Sequence, residues 1–354
     1  MKKLLALVLV FVIAALSCIG FAACGNNNGT GSDNGGGTGN NDSTNNGGDT
    51  GNNDSTNNGS GTTAPEFVVG ICQLTQHAAL DAATQGFIDA LKAEFGDRIA
   101  FDLQNASGDT NLCTTIVNSF VNKKVDLIMA NATPALQAAY NATETIPILG
   151  TSITEYGVAL GLDNFAGVVG SNVSGTSDLA PLTGQADMIL EICPDTKVVG
   201  IVYCSAEPNS KYQVEKMTEL LEAKGITVKP YPFSDSNDIA PIVTTAAANC
   251  DVLYIPTDNT AASCAETIGS IVIEKRIPVF TGEENPAKVC GVASLTISYY
   301  DLGWKTGEMA AKILKGEADI SEMPIEYAPA VKKYNKEMCD LLGITVPDYY
   351  EEMK

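Results

Sequence analysis

The stretch FVVGICQLTQHAALDAATQGFIDALK, residues 67–92, carries the change of period from which the fold follows. Its opening FVVGICQL is apolar and rich in β-branched residues without alternation, as a strand buried on both faces of a sheet should be. After a polar interval, Leu80, Ala83, Phe87, Ala90 and Leu91 recur at helical spacing and give an amphipathic helix one apolar face. A doubly buried strand feeding a helix is the first half of a βαβ unit, so the sheet it opens should be parallel and covered on both sides.

The alternation continues outward. IAFDLQNA (99–106), DLIMANA (126–132) and IPILGT (146–151) read as further buried strands, with helical patterns at 80–95, 109–123 and 134–143. A second series starts at KVVGIVYC (197–204) and runs through TVKPYPF (227–233), DVLYIPT (251–257) and IPVFTG (277–282), with helices expected near 210–224, 238–249 and 261–274. Between the two series, SNVSGTSDLAPL (171–182) breaks the periodicity. The fold class expected is α/β, two Rossmann-like lobes with parallel sheets: an N-terminal lobe of 65–176 plus about 292–320, and a C-terminal lobe of 177–291 plus about 321–354. A cleft between the lobes follows.

Upstream, Lys2 and Lys3 precede the apolar run LLALVLVFVIAAL and then small residues before cysteine, the pattern of an export signal. Cys18 and Cys24 compete as its end, and AAC followed by GNNNGTGSDNGGG favours Cys24 as a lipid acceptor, with residues 1–23 as the signal peptide. Residues 24–64 are almost wholly Gly, Asn, Ser, Thr and Asp, a tether without apolar surface to offset chain entropy. No later run has the length of a membrane span, so contact with the membrane is by the lipid anchor alone. The net charge of −21 excludes nucleic acid as a natural partner. Eight cysteines follow the tether without a CxxC pair, and the chain has a single histidine, so no metal site or cofactor is expected and the thiols read as small buried hydrophobes.

In open α/β sheets a ligand sits beyond the carboxyl ends of the strands. Those ends carry Gln73, Thr75 and His77, then Asn131 and Thr133, then Thr151 and Ser152 in the first half, and Glu207, Asn209 and Ser210, then Thr257, Asp258 and Asn259, then Glu283 and Glu284 in the second. Ser177 and Asp178 stand at the break and serve either as caps of a helix near residue 180 or as hinge and ligand contacts. His77 has neither metal partners nor a nucleophile to serve, which leaves a ligand contact at the cleft or a plain helix-entry residue. Thr133 reads as an N-cap with Pro134 behind it, and its helix start would also suit a ligand carboxylate shared with the Ser210 neighbourhood. Asp258 caps the next helix or faces the cleft. Tyr299, Tyr300 and Trp304 line an aromatic pocket or pack a helix on its sheet. Nothing at these ends combines a nucleophile with a base, so no catalysis is expected.

Taken in order, VGICQLTQHAALDAATQGFIDAL, DLIMANATPALQAAYNAT, IPILGTSIT, VSGTSDLAPL, AEPNS, YIPTDNTAAS and YYDLGWKTGEMAAKILKGE resemble the TrpX-like substrate-binding lipoproteins of ABC importers, from about Phe67 to Ile344. The resemblance implies a type I periplasmic-binding-protein fold with three crossovers. It also implies a tryptophan, tyrosine or phenylalanine ligand, a monomer, and ABC permease subunits with their ATPase as partners. The chain would sit on the extracellular face of a Gram-positive membrane, held by lipid on Cys24. Gln76 stands where the family often has an acid and Ala78 where it often has proline, so Glu207, Asp258 or Glu283 would supply the charge for an ammonium group. A sugar or nucleoside on the same fold, or a receptor serving a sensor kinase, are the alternatives, and the lack of arginine at the strand ends weighs against a sugar.

Overall fold

A computed structural model describes residues 64–354; the signal peptide, Cys24 and the tether up to residue 63 lie outside the described residues. The chain runs through β1 (Phe67–Gln73), α1 (Ala78–Phe95), β2 (Ile99–Asn105), α2 (Thr110–Lys123), β3 (Leu127–Asn131), α3 (Thr133–Ala142), β4 (Ile148–Ile153), α4 (Tyr156–Leu160) and β5 (Val173–Ser177). It then builds α5 (Leu182–Ile192), β6 (Val198–Cys204), α6 (Pro208–Glu222), β7 (Thr227–Phe233), α7 (Ile239–Asn249), β8 (Val252–Ile255), α8 (Asn259–Ser263), α9 (Ala265–Lys275), β9 (Val279–Thr281), α10 (Glu284–Cys290) and β10 (Ala293–Thr296). The last stretch comprises α11 (Tyr299–Leu314), β11 (Glu326–Tyr327), β12 (Val331–Tyr334), α12 (Lys336–Leu342) and β13 (Glu351–Glu352).

Two sheets result, in strand orders β11-β5-β4-β3-β1-β2 and β13-β12-β10-β9-β8-β6-β7. The first is parallel throughout, and in the second only β12 runs against its neighbour β10. Each sheet has a core on both faces: Phe120, Ile128 and Tyr156 on one side of the first and Phe87, Leu91 and Met309 on the other, with Met217 and Tyr254 against Phe233 and Ile268 in the second. This double covering is why the strands read as unbroken apolar runs. All eight cysteines of the described residues are free thiols.

The chain crosses between sheets three times, at 178–181, 297–298 and 328–330. These crossings correct the expected lobe boundaries. The run beginning at residue 292, assigned to the N-terminal lobe, forms β10 in the second sheet, where Ala293 pairs with Phe280 and with Tyr334. A short apolar strand fits either sheet, and Gly291 and Val292 are too brief a link after α10 for it to reach the other one. Conversely β11, expected in the C-terminal lobe, pairs with β5 in the first sheet, and two residues carry no period that could have revealed it. The helix expected at 261–274 is broken at Cys264 into α8 and α9. The N-cap of α3 is Ala132, at φ 88°, and Thr133 is already helical.

Candidate ligand cleft between the lobes

The wall from the first lobe begins where β1 ends. Gln73 has both ends of its amide engaged: Oε1 accepts from Thr84 Oγ1 at 2.7 Å, and Nε2 donates to Asp81 Oδ1 at 2.7 Å and to the Thr75 carbonyl at 2.8 Å. It therefore shapes the turn leading to His77 and keeps no polar atom for a ligand. Asn131, at the end of β3, donates Nδ2 to the Leu80 carbonyl at 2.8 Å and to Thr84 Oγ1 at 3.0 Å, while its buried Oδ1 has no partner. The start of α3 has no side-chain cap, and the buried Thr133 stands there beside Pro134. At the end of β4, Thr151 Oγ1 lies 3.3 Å from Thr176 Oγ1 in a buried row of hydroxyls that continues to Thr306. Its neighbour Ser152, held at φ 56°, buries a hydroxyl without a partner.

On the second lobe, two acids are consumed by helix starts. Glu207 accepts from Asn259 N at 3.1 Å, Asn259 Nδ2 at 2.7 Å, Thr260 N at 2.9 Å and Thr260 Oγ1 at 2.7 Å. Asp258 caps α8 by accepting from Ala261 N at 2.8 Å, and ties it to β6 through Cys204 N at 2.6 Å. Burial, followed by the charge of Glu207, pushes the Asp258 carboxyl up to about 7. Asn209 donates Nδ2 to the Thr257 carbonyl at 3.2 Å and leaves Oδ1 buried without a partner; Ser210 beside it is fully buried.

At the crossovers the situation differs. Tyr299 donates its hydroxyl to Asp178 Oδ2 at 2.9 Å, and Asp178 Oδ1 is buried without a partner. Glu283, also facing Tyr299, is 2% exposed with Oε1 unpartnered. Burial raises the Asp178 carboxyl to about 6, and burial with the charge of Asp178 raises Glu283 to about 8. Ser177 donates to the Thr154 carbonyl at 3.0 Å and accepts from Leu179 N at 3.2 Å, which stitches the crossover; since α5 starts only at Leu182, neither Ser177 nor Asp178 caps it. Tyr300 and Trp304 lie elsewhere, 6.3 Å apart at the α11 surface and bonded to Asp89 and Glu308.

His77 reaches across. Its Nε2 lies 3.4 Å from Asn259 Oδ1 of the other lobe, and its Nδ1 is buried without a partner. Burial lowers its basicity, more than Asn259 and the charges of Glu207 and Asp81 raise it, so the ring is neutral at pH 7. A cavity of about 360 Å³ runs between the lobes, with Thr75, Gly108 and Pro134 on one wall and Glu207, Ser234 and Asn259 on the other. It lies beside the loops after the edge strands β2 and β7, at the opposite end of the cleft from Asp178, Tyr299 and Glu283.

Among the described residues, seven side chains bury a polar atom without a partner, and six of them, His77, Asn131, Ser152, Asp178, Asn209 and Glu283, stand after strand ends or at a crossover. An unmet buried donor or acceptor costs about 1–3 kcal/mol, so such a concentration makes the strand ends and crossovers the candidate site. Asn131 and Ser152 are among the polar residues that close the apolar runs of β3 and β4 in the sequence, and Tyr299 is the one of the three aromatic residues 299, 300 and 304 that the fold brings to Asp178.

Comparison with known proteins agrees with this geometry. The family model for ABC transporter substrate binding proteins matches residues 68–351. A tyrosine-binding protein of Clostridioides difficile is 36% identical over 260 residues, 73% of this chain and 75% of that protein. An ABC domain from Streptococcus pneumoniae solved in complex with L-Trp superposes with a TM-score of 0.77 at 32% identity, covering 81% of this chain and 99% of that one. The ligand-free, open structure of a Clostridium difficile substrate binding protein with adhesive properties gives only 0.64 at 36% identity, covering 81% and 99%. The chain of higher identity superposes less well than the tryptophan complex does. With the match reaching almost from the first strand to the last, the chain belongs to the ABC transporter substrate binding protein family.

Proposed function

We propose that this protein binds an aromatic L-amino acid, tryptophan, tyrosine or phenylalanine, between its lobes and delivers it unchanged to an ABC permease. Proteins of this family take their solutes outside the cytoplasm. The observation that carries the ligand class is the polarity of the cleft. Glu207, Asp258 and Glu283 lie on the second lobe and Asp178 at the crossover, whereas the first lobe presents the uncapped start of α3, Thr133, the free hydroxyl of Ser152 and a neutral His77. A zwitterion bridges these halves, its carboxylate on the α3 N–H groups and its ammonium on Asp178 and Glu283, which are the acids with unpartnered oxygens. The α6 start, beside the carboxylate of Glu207, is the poorer anion site, so the carboxylate goes to Thr133 rather than being shared with Ser210. Bridging draws the lobes together, and the closed face is what a permease would recognise. The tryptophan complex and the tyrosine-binding relative support an aromatic side chain.

In this reading the chain acts as a monomer at the surface of a Gram-positive cell, tethered by lipid on Cys24. Cys24→Ser should move it from the membrane fraction to the medium, and retention on the membrane would refute the anchor. The ligand is tested by thermal shift of the full chain against amino acids, sugars and nucleosides. A ligand at 100 times its dissociation constant adds about 2.7 kcal/mol and raises the melting point by a few degrees. Stabilisation by the aromatic amino acids is expected; stabilisation only by sugars or nucleosides would overturn the ligand class and leave the fold untouched.

A further inference from the structure

Asp178, Tyr299 and Glu283 form a group whose hydrogen atoms can be counted. The phenol of Tyr299 has one hydrogen, and it is committed to Asp178 Oδ2 at 2.9 Å. Its contact with Glu283 is therefore attractive only if Glu283 carries a proton to donate to the phenol oxygen. The groups acting on Glu283 from the surrounding elements are Asp178 on the first crossover, Tyr299 on α11, Asp258 before α8 and Glu207 before α6. Those acting on Asp178 are Tyr299 and the hydroxyl of Thr154. None of these carries a positive charge. Glu207 and Asp258 are held by N–H groups of α8 and β6, and His77 interacts with Asn259, Glu207 and Asp81 instead. Two buried carboxylates facing one phenol with no counter-charge do not both ionise. Asp178 and Tyr299 also both adjoin chain crossovers between the two sheets.

We propose that Asp178, Tyr299 and Glu283 hold one exchangeable proton and that a ligand's primary ammonium group replaces it, so that each molecule captured expels one proton. The proposal rests on the amino-acid reading above and gives that site its selectivity. The Glu283 O–H bond breaks and its proton passes to solvent, while the ligand nitrogen keeps its own protons and donates N–H bonds to Glu283 Oε1 and Asp178 Oδ1, the two oxygens without partners. No electrons move. A sugar or a deaminated aromatic acid has no cation to exchange and leaves the proton in place. With Glu283 raised to about 8 and Asp178 only to about 6, the exchangeable proton resides on Glu283 at neutral pH. The sign follows: binding that releases a proton strengthens as pH rises and does so up to the value of unliganded Glu283, by at most about tenfold per pH unit.

The test is calorimetric titration of the full chain with L-tryptophan, L-tyrosine and L-phenylalanine at pH 7 in phosphate and in Tris, whose ionisation heats differ. The dependence of observed heat on buffer counts the protons, and about one released per ligand is expected. The count should shrink as pH passes about 8, where Glu283 is already ionised, a check that needs no variant. Glu283→Gln should bind more weakly and release almost none. Binding whose heat is the same in both buffers would overturn proton exchange while leaving the amino-acid reading intact. Failure of all three amino acids to bind at any pH would overturn the reading and the exchange together.

Discussion

Four buried acids border the cleft, and their side-chain contacts divide them into two kinds. Glu207 accepts four hydrogen bonds from Asn259 and Thr260, whereas Asp178 and Glu283 each keep a buried oxygen without a partner. Removing charge from a member of each kind should give opposite phenotypes. Glu207→Gln loses charge-assisted bonds at the α8 start and should cost about 1–3 kcal/mol of stability in chemical denaturation, with amino-acid affinity reduced much less. Asp178→Asn should leave the melting point unchanged or higher, because a buried charge is gone, and weaken amino-acid binding by roughly 30- to 1,000-fold, the usual loss when one partner of a buried charge pair is removed. Equal loss of stability in both variants would refute the division. That the strand ends would gather the polar residues of the candidate site was legible, since they interrupt apolar runs there. Which acid is spent was not, because four of the hydrogen bonds that Glu207 accepts come from residues about fifty positions further along the chain and depend on how α8 lands. In sequence Tyr299 stands between pocket lining and packing for the same reason: only the fold brings it to Asp178, 121 positions away.

Helix α11 shows how one element sets such a residue. It comes late in the chain, after the second sheet is nearly complete, yet packs against α1 in the first lobe. The two backbones approach so closely that a methyl group on Gly303 would overlap the Ala83 carbonyl, and one on Gly86 would overlap the Tyr300 carbonyl. Because Tyr299 opens α11, this seam fixes where its hydroxyl meets Asp178 and Glu283. Gly303→Ala should force the helices apart and cost about 1–3 kcal/mol, as overpacking does, and should weaken amino-acid binding as well, since Tyr299 moves with its helix. Denaturation and titration of the same variant check both; full affinity in a destabilised variant would show that the seam does not position the site. The helix itself was visible in the sequence, whereas the close approach of Gly303 and Gly307 to α1 depends on the fold. The strands flanking α11 were not assignable: β10 is an apolar run that suits either sheet, and β11 has only two residues, so lobe membership there was decided by chain connection rather than by pattern.

For the molecule as a whole, the two titrating features act in the same direction. His77, set against Asn259 across the lobes, has its affinity for a proton lowered by burial below that of an exposed imidazole near pH 6.5, so a form whose lobes part and expose the ring would bind more protons there. Acid therefore favours opening as pH falls below about 6.5. Ligand capture expels the proton of Glu283, so acid opposes binding there too, throughout the range below about 8. Affinity for an aromatic amino acid should consequently fall by about tenfold per unit between pH 8 and 6.5, and more steeply below 6.5, where His77 adds a second proton to the exchange. Asp178, raised to about 6, steepens the lowest part of the curve further. His77→Ala separates the contributions: its curve should keep the slope above pH 6.5 and lose part of the steepening beneath it, with ligand dissociation somewhat faster at pH 7.5 because a contact across the lobes is gone. Dissociation constants measured from pH 5 to pH 8.5 for both proteins decide the matter, and superimposable slopes below pH 6.5 would show that His77 has no part in closure.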